Sequence, residues 1–234
     1  MGKGENMKNN KTLGIIGGLG PETTARFYME VVFACSKINR RRPQILISNV
    51  AVPLSVEKEL ITEAKNEKNI LPFLLNAAKQ LEKGGASFIV IPCNTVHIFI
   101  EEIRESVNIP VLSIIEETSN FLHKAKINEV GVFATTATIK NRLFNENLKR
   151  SEINMITPTV LNQSKMGAII NRLVNNQKTK KDKDEFTKII NDTNAKNAIL
   201  ACTDLQILNP KCDKVNIFDT MDILAQSAVR EIFK

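Results

Sequence analysis

The sequence predicts an α/β protein, with open parallel sheets in two homologous halves and its functional side chains gathered at the carboxyl ends of strands. Three observations carry this. Short runs rich in Ile, Val and Leu alternate with longer stretches of helical periodicity along the whole chain. Several of the short runs are unbroken by polar residues, as suits parallel strands buried on both faces. Two segments of the first half recur in the second with the same pattern of residue types.

The elements follow in order. Residues 1–10 lack an apolar core and read as a flexible extension. Strands are predicted at Thr12–Ile16, Gln44–Asn49, Ser87–Ile91, Glu129–Ala134, Asn197–Ala201 and Val215–Phe218. Helical spacing i, i+3, i+4, i+7, i+8 appears at Ala25, Tyr28, Met29, Val32 and Phe33, and a similar stripe at Ile70, Leu74, Ala77, Ala78 and Leu81. Pro21 suits a first helical turn, and Gly84-Gly85 suits a helix end.

The first repeat sets Leu13-Gly14-Ile15-Ile16-Gly17-Gly18 against Val130-Gly131-Val132-Phe133-Ala134-Thr135, 117 residues later. The second sets Val90-Ile91-Pro92-Cys93-Asn94-Thr95-Val96-His97-Ile98 against Ile199-Leu200-Ala201-Cys202-Thr203-Asp204-Leu205-Gln206-Ile207, 109 residues later. Halves packed face to face about a pseudo-two-fold axis would bring Cys93 and Cys202 into one cleft.

Composition narrows the function classes. The chain has 234 residues, a formal net charge of +7, one Tyr and no Trp. Scattered positive charge without interleaved aromatics argues against nucleic acid, because stacking on bases needs aromatic platforms. No apolar run approaches the ~18–20 residues that cross a bilayer, and the N-terminus has no apolar signal region. A cytoplasmic protein with no membrane association is expected. The four cysteines form no CxxC pair and no secreted disulfide spacing, which fits a reducing compartment.

Two thiols in matched strand-end turns, followed by Asn94-Thr95 and Thr203-Asp204, are better explained by paired acid/base chemistry than by packing. Cys35 and Cys212 have no partner pattern and read as structural or incidental. His97 lies one helical turn after Cys93, where it would assist the thiol, hydrogen-bond beside the site or simply pack. Asp204 reads as a base's helper or a helix N-terminal carboxylate. Two histidines are too few for a closed Cys/His zinc site, so no metal is expected. Gly17-Gly18-Leu19-Gly20-Pro21 fits a dinucleotide fingerprint poorly, since Thr23 holds the third glycine position. It reads as a tight turn or as backbone amides brought close to a carboxylate, with Leu19 a candidate substrate contact. Thr135, Thr136 and Thr138 offer hydroxyls at a strand end.

At GIIGGLGPETT, IPCNTVH, EETSN, GVFATTATI and ACTDLQIL the sequence resembles the aspartate/glutamate racemase superfamily, in its cofactor-independent aspartate racemase branch. The resemblance runs from about Leu13 to the C-terminal helix. It implies two Rossmann-like domains, 11–112 plus 220–234 and 113–219, with a catalytic cysteine from each, Cys93 and Cys202, meeting in the cleft between them. It also implies an amino acid or other carboxylate as substrate, no pyridoxal phosphate or other cofactor, and a homodimer. Substrate contacts are expected from Leu19, Ser55, Asn94, Thr95, Thr135, Thr136 and Thr203, with His97 and Asp204 assisting.

This sequence departs from the branch at two cations. Ser55 stands where an arginine usually holds a substrate carboxylate, leaving Lys58 as the nearest cation, and Asn175 stands in place of a lysine, with Lys178 close by. Aspartate is the default substrate and a less acidic amino acid the alternative. Other readings are a cis-trans diacid isomerase, a hydantoin racemase, a carboxylate-binding protein or a dithiol redox protein.

Overall fold

The computed structural model describes residues 10–234, so all but Asn10 of the expected N-terminal extension lies outside the described residues. Its strands are β1 (Leu13–Gly17), β2 (Ile45–Asn49), β3 (Phe88–Val90), β4 (Val111–Leu112), β5 (Glu129–Ala134), β6 (Asn154–Ile156), β7 (Asn197–Ala201) and β8 (Asn216–Asp219). The helices of the first part are α1 (Pro21–Asn39), α2 (Leu54–Lys58), α3 (Leu71–Lys83), α4 (Ile100–Glu105) and α5 (Ile114–Lys124). The rest are α6 (Thr136–Lys140), α7 (Asn145–Arg150), α8 (Val160–Val174), α9 (Lys180–Asp192) and α10 (Thr220–Ile232).

Two four-stranded sheets form, ordered β2-β1-β3-β4 and β6-β5-β7-β8, and every pair is parallel. The order is the same in both, so the internal repeat is a repeat of topology. In each sheet the winding reverses once, between β1 and β3 and between β5 and β7. Helices leave to opposite faces there and open a crevice at the carboxyl ends of the strands.

The central strands were legible because both of their faces are apolar. Alternate residues point to opposite faces, so Leu13 and Ile15 enter one core while Ile16 enters another. Phe88 and Val90 likewise part from Ile89, and Val130 and Val132 from Phe133. The inner core is common to both halves and is closed by Phe27 and Val31 of α1, Ile114 and Leu122 of α5, and Leu224 and Ala228 of α10. Each large side chain buried there contributes about 1.5–3 kcal/mol, and this shared layer holds the two sheets together. The Asp219 carboxylate caps α10 by accepting from the Met221 amide at 2.9 Å.

One expected face is corrected. The α1 stripe read from sequence, Ala25, Tyr28, Met29, Val32 and Phe33, is largely exposed, whereas Thr23, Thr24, Phe27, Val31, Val32 and Cys35 are buried. The helix carries two apolar stripes, and the Phe27-Val31-Cys35 row wins because it meets the inner core. Cys35 is accordingly a core residue, as expected. Among the described residues no helix is long and apolar enough to cross a membrane.

Candidate active site

Cys93 follows β3 and Cys202 follows β7, each opening a short 3-10 turn, Thr95–Phe99 and Thr203–Leu208. The repeat persists at the level of single bonds. Backbone N–H groups of Val96 and Thr95 reach the Cys93 sulfur, and those of Asp204 and Leu205 reach the Cys202 sulfur. Each thiol therefore has amide donors from the residues two and three positions after it, an arrangement that favours a thiolate against burial.

Side-chain hydrogen bonds tie these turns to one another and to the start of α10. Thr203 Oγ1 donates to the Pro92 carbonyl at 3.2 Å, and Asn94 Nδ2 donates to Thr220 Oγ1 at 3.0 Å. Thr95 Oγ1 lies 3.0 Å from Thr135 Oγ1 and 3.3 Å from Thr138 Oγ1 in a buried cluster of three hydroxyls. Thr23 Oγ1 donates to Asp204 Oδ1 at 2.9 Å, and Cys202 Sγ lies 3.9 Å from Asp204 Oδ2. The approach of Asp204 depends on Gly20, where φ is +90° and a Cβ would sit 3.0 Å from Asp204 Oδ1. Gly18, at φ +86°, likewise leaves no room for a Cβ beside Asn49 and the Val50 amide. The tight-turn reading of this glycine run holds.

Both thiols line one cleft with Leu19, Gly20, Asn94, Thr95, Thr203 and Asp204 on its turns, and Glu57, Ile61 and Val174 across from them. The free volume is about 10 Å³, barely one water molecule. Among the residues expected from sequence, Ser55 and Thr136 are exposed and outside this wall, and Thr135 stands behind Thr95. Glu57, Ile61 and Val174 were not anticipated. Glu57 had a signal, since it begins a stripe with Leu60, Ile61 and Ala64 at i, i+3, i+4 and i+7, and that stripe faces inward.

Residues 16–228 match the family model described as Asp/Glu/Hydantoin racemase. The chain belongs to that family. The broad specificity amino-acid racemase RacX of Bacillus subtilis is 28% identical over 226 residues, covering 93% of this chain and 96% of its own. The solved Picrophilus torridus aspartate racemase has a TM-score of 0.78 at 23% identity, covering 96% of this chain and 95% of its own. An aspartate racemase homologue from Pyrococcus horikoshii OT3 gives 0.75 at 24%, covering 96% and 100%. At these identities the solved structures speak for the fold, two parallel-sheet halves around a cleft.

In this racemase-family cleft burial dominates the electrostatics. Burial pushes the Cys93 thiol up to about 12, with Asp204 and Glu57 adding to the rise and the Val96 and Thr95 amides opposing it. Cys202 is raised by burial, then by Asp204 and by Cys93 itself. The Glu57 and Asp204 carboxyls are also raised, each chiefly by burial. Among the described residues no group of three His, Cys, Asp or Glu side chains is arranged to hold a metal.

The thiol shifts predict alkaline instability. An unfolded thiol ionises near 8.5, and Cys93 in the folded chain holds its proton to about 12. The folded state thus binds more protons between these values, and stability falls as pH rises through that window, by about 1.4 kcal/mol per pH unit per thiol. Urea midpoints between pH 8 and 11 should fall less steeply for Cys93→Ala than for the native chain. Parallel curves would show that the thiol is not held neutral by folding.

Proposed function

We propose that this chain racemises a free amino acid at Cα without pyridoxal phosphate, with Cys93 and Cys202 as the two acid/base groups. The observation that carries the reading is the pair of thiols, one from each half, at equivalent strand-end turns on one cleft. Inversion at carbon needs a base on one face and an acid on the other. A Cys93 thiolate removes the Cα proton of one enantiomer and becomes the thiol. The Cys202 thiol gives its proton to the opposite face and becomes the thiolate, poised for the reverse turnover.

The carbanion between these steps is unstable and is best stabilised by donors at the substrate carboxylate. Thr203 already gives its hydroxyl proton to Pro92, and Asn94 gives Nδ2–H to Thr220. Thr95, which lines the cleft with Thr135 and Thr138 behind it, is the side-chain donor we assign, beside backbone amides of the turns. Asp204 stays near Cys202 and is the candidate acceptor for the α-ammonium. Burial, with the two carboxylates adding to it, holds the thiols neutral, and an entering ammonium offsets the carboxylate part, which favours ionisation of one thiol on binding. The relatives named as amino-acid racemases support free amino acids as the substrate class.

The test is deuterium incorporation at Cα in heavy water, followed by NMR and chiral chromatography over a panel of free amino acids with no added cofactor. Exchange accompanied by inversion is expected for at least one member, surviving chelators and lost on thiol alkylation. Exchange that never inverts configuration, or activity indifferent to alkylation, would refute the two-thiol mechanism.

A further inference from the structure

We propose that the cleft selects an amino acid whose side chain ends in a cation, an ammonium or a guanidinium, and that the Glu57 carboxylate receives it. The inference rests on the racemase reading of the cleft and goes further by fixing the substrate class. Among the described residues that line the cleft none is Lys, Arg or His, whereas two, Glu57 and Asp204, are carboxylates. The cations that the resemblance led us to consider are directed elsewhere. Lys58 is exposed and pairs with Glu63 at 3.6 Å, and Lys178 is exposed beyond the end of α8. A substrate carboxylate side chain would meet two like charges and no counter-charge.

A second observation points independently to a donor-bearing ligand. Asn94 is 1% exposed, lines the cleft, and its Oδ1 is buried with no hydrogen-bond partner among the described residues. Its orientation follows from its neighbours: Thr220 Oγ1 donates to the Leu200 carbonyl at 2.9 Å, so it accepts from Asn94 Nδ2 and leaves Oδ1 as the open acceptor. An unsatisfied buried acceptor is destabilising, and an incoming N–H relieves it. The apolar part of the wall, Leu19, Ile61 and Val174, suits the methylene stem of a long basic side chain. Charge acts in the same sense at the sulfurs, because Glu57 and Asp204 both oppose ionisation of Cys93 and a substrate with two positive groups neutralises both.

The experiment compares lysine, ornithine and arginine with alanine, aspartate and glutamate, by Cα exchange with the native chain and with Glu57→Gln. Native kcat/KM is expected to be highest for the basic amino acids. A charged hydrogen bond is worth about 1.5–3 kcal/mol, so the lysine-to-alanine ratio should fall roughly 10- to 100-fold in Glu57→Gln, mostly through KM. Equal loss for lysine and alanine would place Glu57 at the α-ammonium and overturn the proposal, as would native turnover of aspartate or glutamate matching that of lysine. If no amino acid exchanges, the racemase reading fails, and calorimetric binding of lysine against aspartate still decides specificity. Lysine binding weakened by Glu57→Gln sustains the proposal, and equal or absent binding of both ends it.

Discussion

Replacing either Cys93 or Cys202 by alanine is expected to lower racemisation by about 10²- to 10⁴-fold, the range that a positioned acid or base contributes, without unfolding the chain. Each thiol is buried, at 6% and 5% exposure, and alanine keeps its Cβ, so the lost packing is a single sulfur. Circular dichroism and the urea midpoint near pH 7 should stay close to native. The two variants should also fail differently. With Cys202 gone, Cys93 can still remove and return the proton of one enantiomer, so heavy-water exchange persists for that enantiomer without inversion. With Cys93 gone, the other enantiomer exchanges. Native-level racemisation in either variant, or the same residual exchange of both enantiomers in one variant, would refute opposite-face placement of the thiols.

That pair was legible because its signal is a repeat and not a lone residue. A buried cysteine after a strand reads first as packing, but Cys93 and Cys202 share neighbours at every position of a nine-residue pattern, and the structure gives both sulfurs amides from the same relative positions. Six of the eight strands were legible for a similar reason, since the central strands β1, β3, β5 and β7 lie in runs that are apolar on both faces. Strands β4 and β6 escaped notice. With two and three residues they carry no periodicity, and their place is set by pairing with β3 and β5.

The misread face of α1 has a different origin. Spacing counts apolar residues but not which of two stripes meets the core, and Ala25, Tyr28, Met29, Val32 and Phe33 form the longer stripe, to which the polar Thr23 and Thr24 add nothing. In the fold those threonines are buried because their hydroxyls are satisfied locally, Thr24 Oγ1 by the Gly20 carbonyl and Thr23 Oγ1 by Asp204. Glu57 is not among the residues expected from sequence because the departure at Ser55 points to the nearest cation, Lys58. The inward stripe of Leu60, Ile61 and Ala64 places its first member, Glu57, against the cleft and turns Lys58 to solvent.

His97 supplies the second large effect, and it is expected to act by position and not by proton transfer. The ring is 3% exposed, its Nδ1 lies 2.8 Å from the Cys93 carbonyl, and the Ile114 amide donates to its Nε2 at 3.1 Å. Since Nε2 accepts, the proton sits on Nδ1 and is donated to Cys93. Burial pushes the imidazole down to about 4, so it is neutral at physiological pH. His97→Leu leaves the Cys93 carbonyl and the Ile114 amide buried and unpaired, at about 1–3 kcal/mol each. The melting temperature should therefore fall by roughly 5–15 °C. An unfolded histidine takes up a proton near 6.5, so this group's contribution to stability is present above that pH and is lost as pH falls towards 4. That acid-side loss should be smaller in His97→Leu than in the native chain. Racemisation should drop as the Cys93 turn shifts, while the shape of the kcat/KM profile between pH 5 and 8 stays native. A profile that loses a limb in the variant would make His97 a proton carrier and overturn the positioning role.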